Sequence, residues 1–233
     1  MSSEALVGGV TVTLRPSARA RRMRLGVDPR SGKVVLTIPH RASRRRALAW
    51  AAEQQGWIAA RLAELPRAEP ITAGAPVPFR GIERRIHWSP DRPRRVMLDG
   101  QCLSVGGPAA GVQGRVLRWL KAEARALLET ETREFALLAG VAASRIGIGD
   151  PISRWGSCSS RGAVRYSWRL ILAPDFVRRA TVAHEVAHLV HLNHGPDFHA
   201  LVARLLGEDP RPARTWLRRH GAALHQIGRA ISG

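Results

Sequence analysis

The chain has 233 residues, 45% of them hydrophobic, which is enough for one large domain or two small ones with a buried core. Its formal net charge is +19, from 37 Lys and Arg against 18 Asp and Glu; such an excess suits a polyanionic partner such as nucleic acid, or a generally basic solvated surface. Met1 to Arg24 shows no signal-peptide pattern, no apolar run is long enough for a bilayer, and Cys102 and Cys158 are too few for a disulfide framework. A soluble, cytoplasmic protein with reduced cysteines and no membrane partner is therefore expected.

Three strand-like runs open the chain, at Val10–Arg15, Met23–Val27 and Lys33–Ile38, with Asp28-Pro29-Arg30-Ser31-Gly32 as the turn between the last two. Arg15, Arg19, Arg21, Arg22 and Arg24 fall on or between these strands. Ser43 reads as the N-cap of a helix running to about Leu65, with Leu48, Ala52, Ile58 and Leu62 at helical spacing. Arg41, Arg44, Arg45 and Arg46 crowd its first turn, the unfavourable end for cations. The two arginine clusters are candidates for a patch that binds DNA or another polyanion, with phosphates near the start of the Ser43 helix.

Pro66 to Pro78 reads as a connector. Strands are expected at Phe79–Trp88, Arg95–Leu98 and Cys102–Val105, and then a long helix from about Val112 to Ala139. Arg145–Ile148 and Ala163–Trp168 are further strands, the second expected at a sheet edge, where an extended peptide can pair with it. Tyr166, the only tyrosine, reads as a packed strand residue, with an oxyanion-stabilising role as the alternative. Helices at about Asp175–Leu192, Pro196–Leu206 and Pro210–His220 complete an α+β chain, with no internal repeat. The expected division is 1–70, Arg-rich strands plus helix; 71–111, a hairpin region; 112–223, the catalytic core; and 224–233, a tail.

The most informative stretch is Ala183 to His194, which reads H-E-x-x-H with a further histidine six residues on. Positions i and i+4 share a helix face, so His184 and His188 can point two imidazoles at one metal ion. Glu185 lies beside that ion and can accept a proton from water the metal acidifies. On a continuing helix His191 would sit roughly 10 Å along the axis from His184, too far for the same ion. Asn193 tolerates a left-handed, helix-ending conformation and Gly195-Pro196 prevents simple continuation, so His194 is the expected third ligand, with Asp197 as second choice. A structural zinc is less expected, since such sites usually have four protein ligands. His191, His199, His220 and His225 read as surface or supporting residues. A long helix, a small sheet and a metal-binding helix, in that order, match a zincin scaffold.

Trp155-Gly156-Ser157-Cys158-Ser159, Ser167-Trp168-Arg169-Leu170, His184-Glu185-Val186-Ala187-His188 and Asn193-His194 form a specific series. Together they resemble the YgjP-like metal-dependent hydrolases, relatives of the SprT and WLM zinc peptidases. The resemblance extends from Phe79-Arg80-Gly81 through Trp216-Leu217-Arg218-Arg219-His220. It implies a gluzincin-like minimal protease fold, Zn2+ held by His184, His188 and His194, and Glu185 as catalytic base. The implied activity is hydrolysis of peptide bonds in a protein or peptide substrate, on nucleic-acid-associated proteins if the SprT-type relatives are a guide. A basic nucleic-acid-binding module with a zinc site and no peptidase activity is the alternative. The chain departs from the family pattern at Phe198-His199 and at Arg179-Ala180-Thr181, two places expected to shape the substrate groove without touching the ligands. For the oxyanion, Arg154, His199 and His220 are the candidate donors.

Overall fold

In the computed structural model, which describes residues 3–229, the chain forms two units, Met1–Arg67 and Ala68–Gly233. No helix among the described residues is long and apolar enough to cross a membrane.

In the first unit, Gly8 and Gly9 both take positive φ and turn β1 (Ser3–Val7) back onto β2 (Val10–Ser17). The sheet continues with β3 (Arg24–Val27) and β4 (Val34–Pro39), in the order β1-β2-β4-β3, with β2 and β4 parallel. Alternation puts Val12, Leu14, Val34, Leu36 and Ile38 on one face. Those side chains form a core with Ala47, Ala51 and Ile58 from two helices, α1 (Arg44–Glu53) and α2 (Gln55–Ala63). Ser43 caps α1, its hydroxyl accepting from the Arg46 N–H at 3.4 Å. The single helix expected to Leu65 is thus two. It breaks at Gln54, whose N–H bonds the carbonyl three residues back, just before the poor helix former Gly56. Strand β1 was not expected, being short and followed by two glycines.

The second unit opens with another four-stranded sheet: β5 (Pro76–Phe79), β6 (Ile82–Trp88), β7 (Met97–Asp99) and β8 (Cys102–Val105). Its order, β5-β6-β8-β7, and its strand directions repeat those of the first sheet. No sequence repeat announces this. The expected strand Phe79–Trp88 is interrupted by a tight turn at Arg80 and Gly81, both at positive φ. Arginine is not a turn-former, but here its N–H bonds the Ile171 carbonyl at 2.7 Å and its side chain pairs with Asp175. A Cβ on Gly81 would lie 2.7 Å from Pro174, so the turn fits closely against the start of the next helix but one.

Helix α3 (Val112–Leu138) buries Val116, Leu120, Ala124, Leu128 and Phe135 at helical spacing. A three-stranded sheet follows: β9 (Arg145–Gly149), β10 (Gly156–Cys158) and β11 (Ala163–Ser167), in the order β10-β11-β9. The expectation of an edge strand at Ala163–Trp168 is therefore wrong. β11 is central, paired on both sides, because the chain after the turn at Arg161-Gly162 returns between β9 and β10. The edge strands are β10 and β9. Helices α4 (Asp175–Ala187), α5 (Pro196–Leu206) and α6 (Arg211–Leu224) complete the unit. Residues 224–229 are packed against it. Arg169, buried and paired with Asp150, donates to the carbonyls of Leu224 and Ile227.

Helix α4 is fastened to α3 by a buried ion pair. The Arg178 guanidinium, 1% exposed, donates to both Glu131 oxygens at 3.0 and 2.8 Å, and its remaining nitrogen reaches Asp175 at 2.7 Å. Removing one partner strands the other charge in the core. Arg178→Met should therefore destabilise the protein by about 3–5 kcal/mol in denaturant unfolding. Asp175 supplies a pH test. The Arg80 hydrogen bond first, and then Arg178, hold its carboxyl down to about 2. A depressed value in the folded state stabilises the fold above the unfolded value and is lost as pH falls through the folded one. The wild-type advantage over Asp175→Asn should thus be full above about pH 5 and gone near about pH 2, by chemical denaturation across that range.

Candidate metal centre

The site begins with the local fate of α4. Its helix ends at Ala187, with His188 as C-cap, one turn earlier than the sequence suggests. Leu189 and Val190 donate to carbonyls three residues back, which tightens the turn, and the His191 carbonyl faces the His188 ring, 3.1 Å from Nδ1. A carbonyl only accepts, so that nitrogen carries the proton and Nε2 is left bare. His191 thus supports the site through its backbone. Asn193 is not left-handed, since Arg80 is the only non-glycine at positive φ among the described residues. The reversal runs instead through an irregular loop to Gly195, the extended N-cap of α5, and Pro196.

This reversal brings His194 over α4. His184, His188 and His194 each offer a ring nitrogen, and these atoms all lie within 4.8 Å of one another, so the three can hold a metal ion. The Nε2 atoms of His184 and His194 are 3.3 Å apart. Two nitrogens bound to one tetrahedral zinc at about 2.1 Å stand about 3.4 Å apart, so the pair is spaced for a shared ion. Phe198 lies among the three rings, with centroids 4.9, 4.6 and 4.7 Å from His184, His188 and His194. The departure at Phe198 therefore does touch the ligands. Asp197 lines a different cavity with Val190, His191 and Arg204, away from the triad.

Burial sets the electrostatics. It lowers His184 to about 4, helped by His188 and His194, and it also lowers His188. Both imidazoles are thus held neutral, the form that binds metal. Glu185 is 5% exposed, and the same desolvation raises it to about 7, opposed by Arg154.

Beside His184 and Glu185 lies a cavity of about 210 Å³, walled by Trp155, Thr181, Phe198, Val202 and Leu217. Ala180 and His199 line it too, so both departures from the family pattern shape this cavity. Of the candidate donors His199 alone borders it. His220 stacks on Trp216 at 4.7 Å, and Arg154 lines a separate cleft. Tyr166 is buried and shares a hydrogen bond with Thr132 at 3.0 Å, a packing role.

A family model described as YgjP-like, metallopeptidase domain, matches residues 21–220. The chain belongs to the YgjP-like metallopeptidase family. Membership in that family implies a metal ion, and the histidine triad is where this chain gathers three ligand atoms. Comparison with curated proteins and with solved structures found no match.

Two glycines shape this YgjP-like site, Gly156 within the Trp155-Gly156-Ser157 series that carries the resemblance and Gly221 outside it. A Cβ on Gly156 would lie 2.5 Å from the Glu185 Oε1, and one on Gly221 of α6 would lie 2.8 Å from the Trp155 ring. Gly156→Ala should push the Glu185 carboxylate aside without removing a ligand. Metal content by elemental analysis should stay at the wild-type level, while peptide hydrolysis falls by about a hundredfold, the scale of an ångström-sized misplacement.

Proposed function

We propose that this chain is a zinc-dependent peptidase with a zincin-like core, in which His184, His188 and His194 hold the ion and Glu185 is the general base. The observation that carries the reading is the gathering of three imidazoles around one point, with the buried Glu185 carboxylate next to His184 on the wall of a cavity. Three nitrogen ligands with one open position suit catalytic rather than structural zinc. Zinc, when bound, supplies Lewis acidity that brings the pKa of water toward neutrality and polarises a carbonyl.

The chain's own groups do the rest. Glu185, whose burial raises its pKa to about 7, takes the proton of the attacking water and returns it to the departing amine. Its burial keeps bulk water from competing for that proton. The His191 carbonyl holds the His188 ring in orientation. The apolar cavity beside Glu185 accepts an apolar side chain next to the scissile bond, and the free edge of β10 can pair with an extended substrate backbone.

Glu185→Gln removes the base and keeps its size. It should retain the metal and lower the rate of peptide-bond cleavage by about 10²–10⁴-fold, measured on a mixed peptide library. His184→Ala should lose both metal and cleavage. A Glu185→Gln variant that cleaves at the wild-type rate would remove Glu185 from its role. A wild type that holds zinc and cleaves nothing would favour a binding module.

A further inference from the structure

The first unit concentrates charge: Met1–Arg67 contains 13 Lys and Arg against 4 Asp and Glu. Its sheet buries one face against α1 and α2, and the strand register then fixes what the other face presents. Arg15 of β2 and Arg24 of β3 both pair with Thr37 of β4, so the two arginines lie in one row on either side of a threonine. Two strand spacings put their Cα atoms about 10 Å apart. The next outward row is Thr13, Val35 and Gly26, so the floor is built of small side chains. Arg19 and Arg22, from the β2–β3 connection, border the same groove, whose volume is about 520 Å³.

None of these four arginines forms an ion pair among the described residues, whereas in the second unit Arg80, Arg169, Arg178 and Arg179 all have carboxylate partners. The second sheet provides an internal comparison, because it repeats the topology. Its equivalent outward rows read Arg85, Cys102, Asp99 and His87, Ser104, Met97. There Arg92 crosses the face, donating to the Ser104 hydroxyl at 2.8 Å and reaching Asp99 at 4.0 Å. In the second sheet an acid stands in the outward row within reach of Arg92; in the first, four arginines border an open groove. Two acids stand near them: Glu4, on the edge strand β1 opposite Thr13 in the outward row, and Asp28, which lines the groove and accepts from the Arg30 N–H; the four arginines outnumber them two to one.

We propose that this open sheet face binds the phosphodiester backbone of nucleic acid, with Arg15 and Arg24 as its centre and Arg19 and Arg22 at its rim. Guanidinium forks match phosphate oxygens bidentately, and like charges spaced along a row suit a ligand with repeated anions. No aromatic side chain borders the groove, so bases have no stacking platform, and the binding is independent of sequence. A folded acidic protein fits less well, because interface energy comes from buried aromatic and apolar anchors that this face lacks. The same lack of large apolar side chains at the rim argues against a lipid surface. The helix N-terminus expected to hold phosphates is not part of the groove. Arg44, Arg45 and Arg46 belong to the helix layer and line none of it.

The test is fluorescence anisotropy of the full-length protein on short random-sequence DNA, single- and double-stranded, from about 50 to about 200 mM salt. Wild type should bind, with affinity falling steeply as salt rises. Replacing Arg15 and Arg24 together by Ala should reduce the slope of log affinity against log salt by about 1.4–1.8, two phosphate contacts' worth, and weaken low-salt binding at least tenfold. Arg15→Lys with Arg24→Lys should keep most of the slope. Metal content and peptide cleavage should be unchanged in each, which separates this result from the peptidase reading. Absence of wild-type binding at the lowest salt would overturn the proposal. So would equal flattening by Arg44→Ala, Arg45→Ala and Arg46→Ala together, which would mark diffuse attraction. Binding to phosphatidylserine vesicles but not to DNA would overturn it in favour of a membrane.

Discussion

The metal centre depends on one interaction remote from it, the ion pair that seats α4 against α3. Glu131 and Arg178 are both nearly inaccessible to water, a costly arrangement unless every donor finds an acceptor. Here the guanidinium satisfies Glu131 with two bonds and spends its third nitrogen on Asp175, which also holds Arg80 at the β5–β6 turn. A single cation thus ties a helix, a hairpin turn and the start of α4. The histidines and Glu185, two turns further on, inherit their position from it.

Dehydration then has opposite consequences at the two ends of α4. At Arg178 a buried charge is compensated. At Glu185 it is not: the nearest cation, Arg154, is exposed and only partly opposes the upward shift. The same dry surroundings keep His184 and His188 neutral. Acid and ligands are therefore tuned by one cause. A group that must carry a proton gains affinity for it, and groups that must offer lone pairs lose theirs. Gly156 makes the arrangement sterically feasible, because only a residue without a Cβ allows β10 to lie against the carboxylate.

Much of this was legible in the sequence where periodicity or chemistry is redundant. Helix α3 carries an apolar repeat through 27 residues, and its bounds fall within one residue of those expected. The pairing of His184 with His188 follows from helical geometry alone, and the chain reversal at Gly195-Pro196 marked His194. What sequence patterns miss is settled by tertiary contacts. The early end of α4 comes from the His191 carbonyl meeting a ring, and the turn at Arg80 comes from an ion pair with a residue far along the chain. The central position of β11 is a matter of pairing order, to which strand propensity is blind. Phe198 reads as an ordinary core residue of α5, and nothing local reveals that it lies among three imidazoles.

The two four-stranded sheets show how little topology says about use. Both join two antiparallel hairpins through a parallel pair, and both bury alternate residues against helices. The difference lies in single positions of the outward rows. Asp99 stands opposite Cys102 in the second sheet where Arg24 stands opposite Thr37 in the first. With an acid in that row, Arg92 can lie across the sheet, bonding the Ser104 hydroxyl and reaching Asp99. With arginine there, any cation drawn across would add to the repulsion, so the face stays open unless an anion from outside covers it. The charge excess that length and composition reveal as a bulk property is thus resolved into a place. It is a row of a sheet in which the pleat and the register, rather than the count of arginines, decide what can bind.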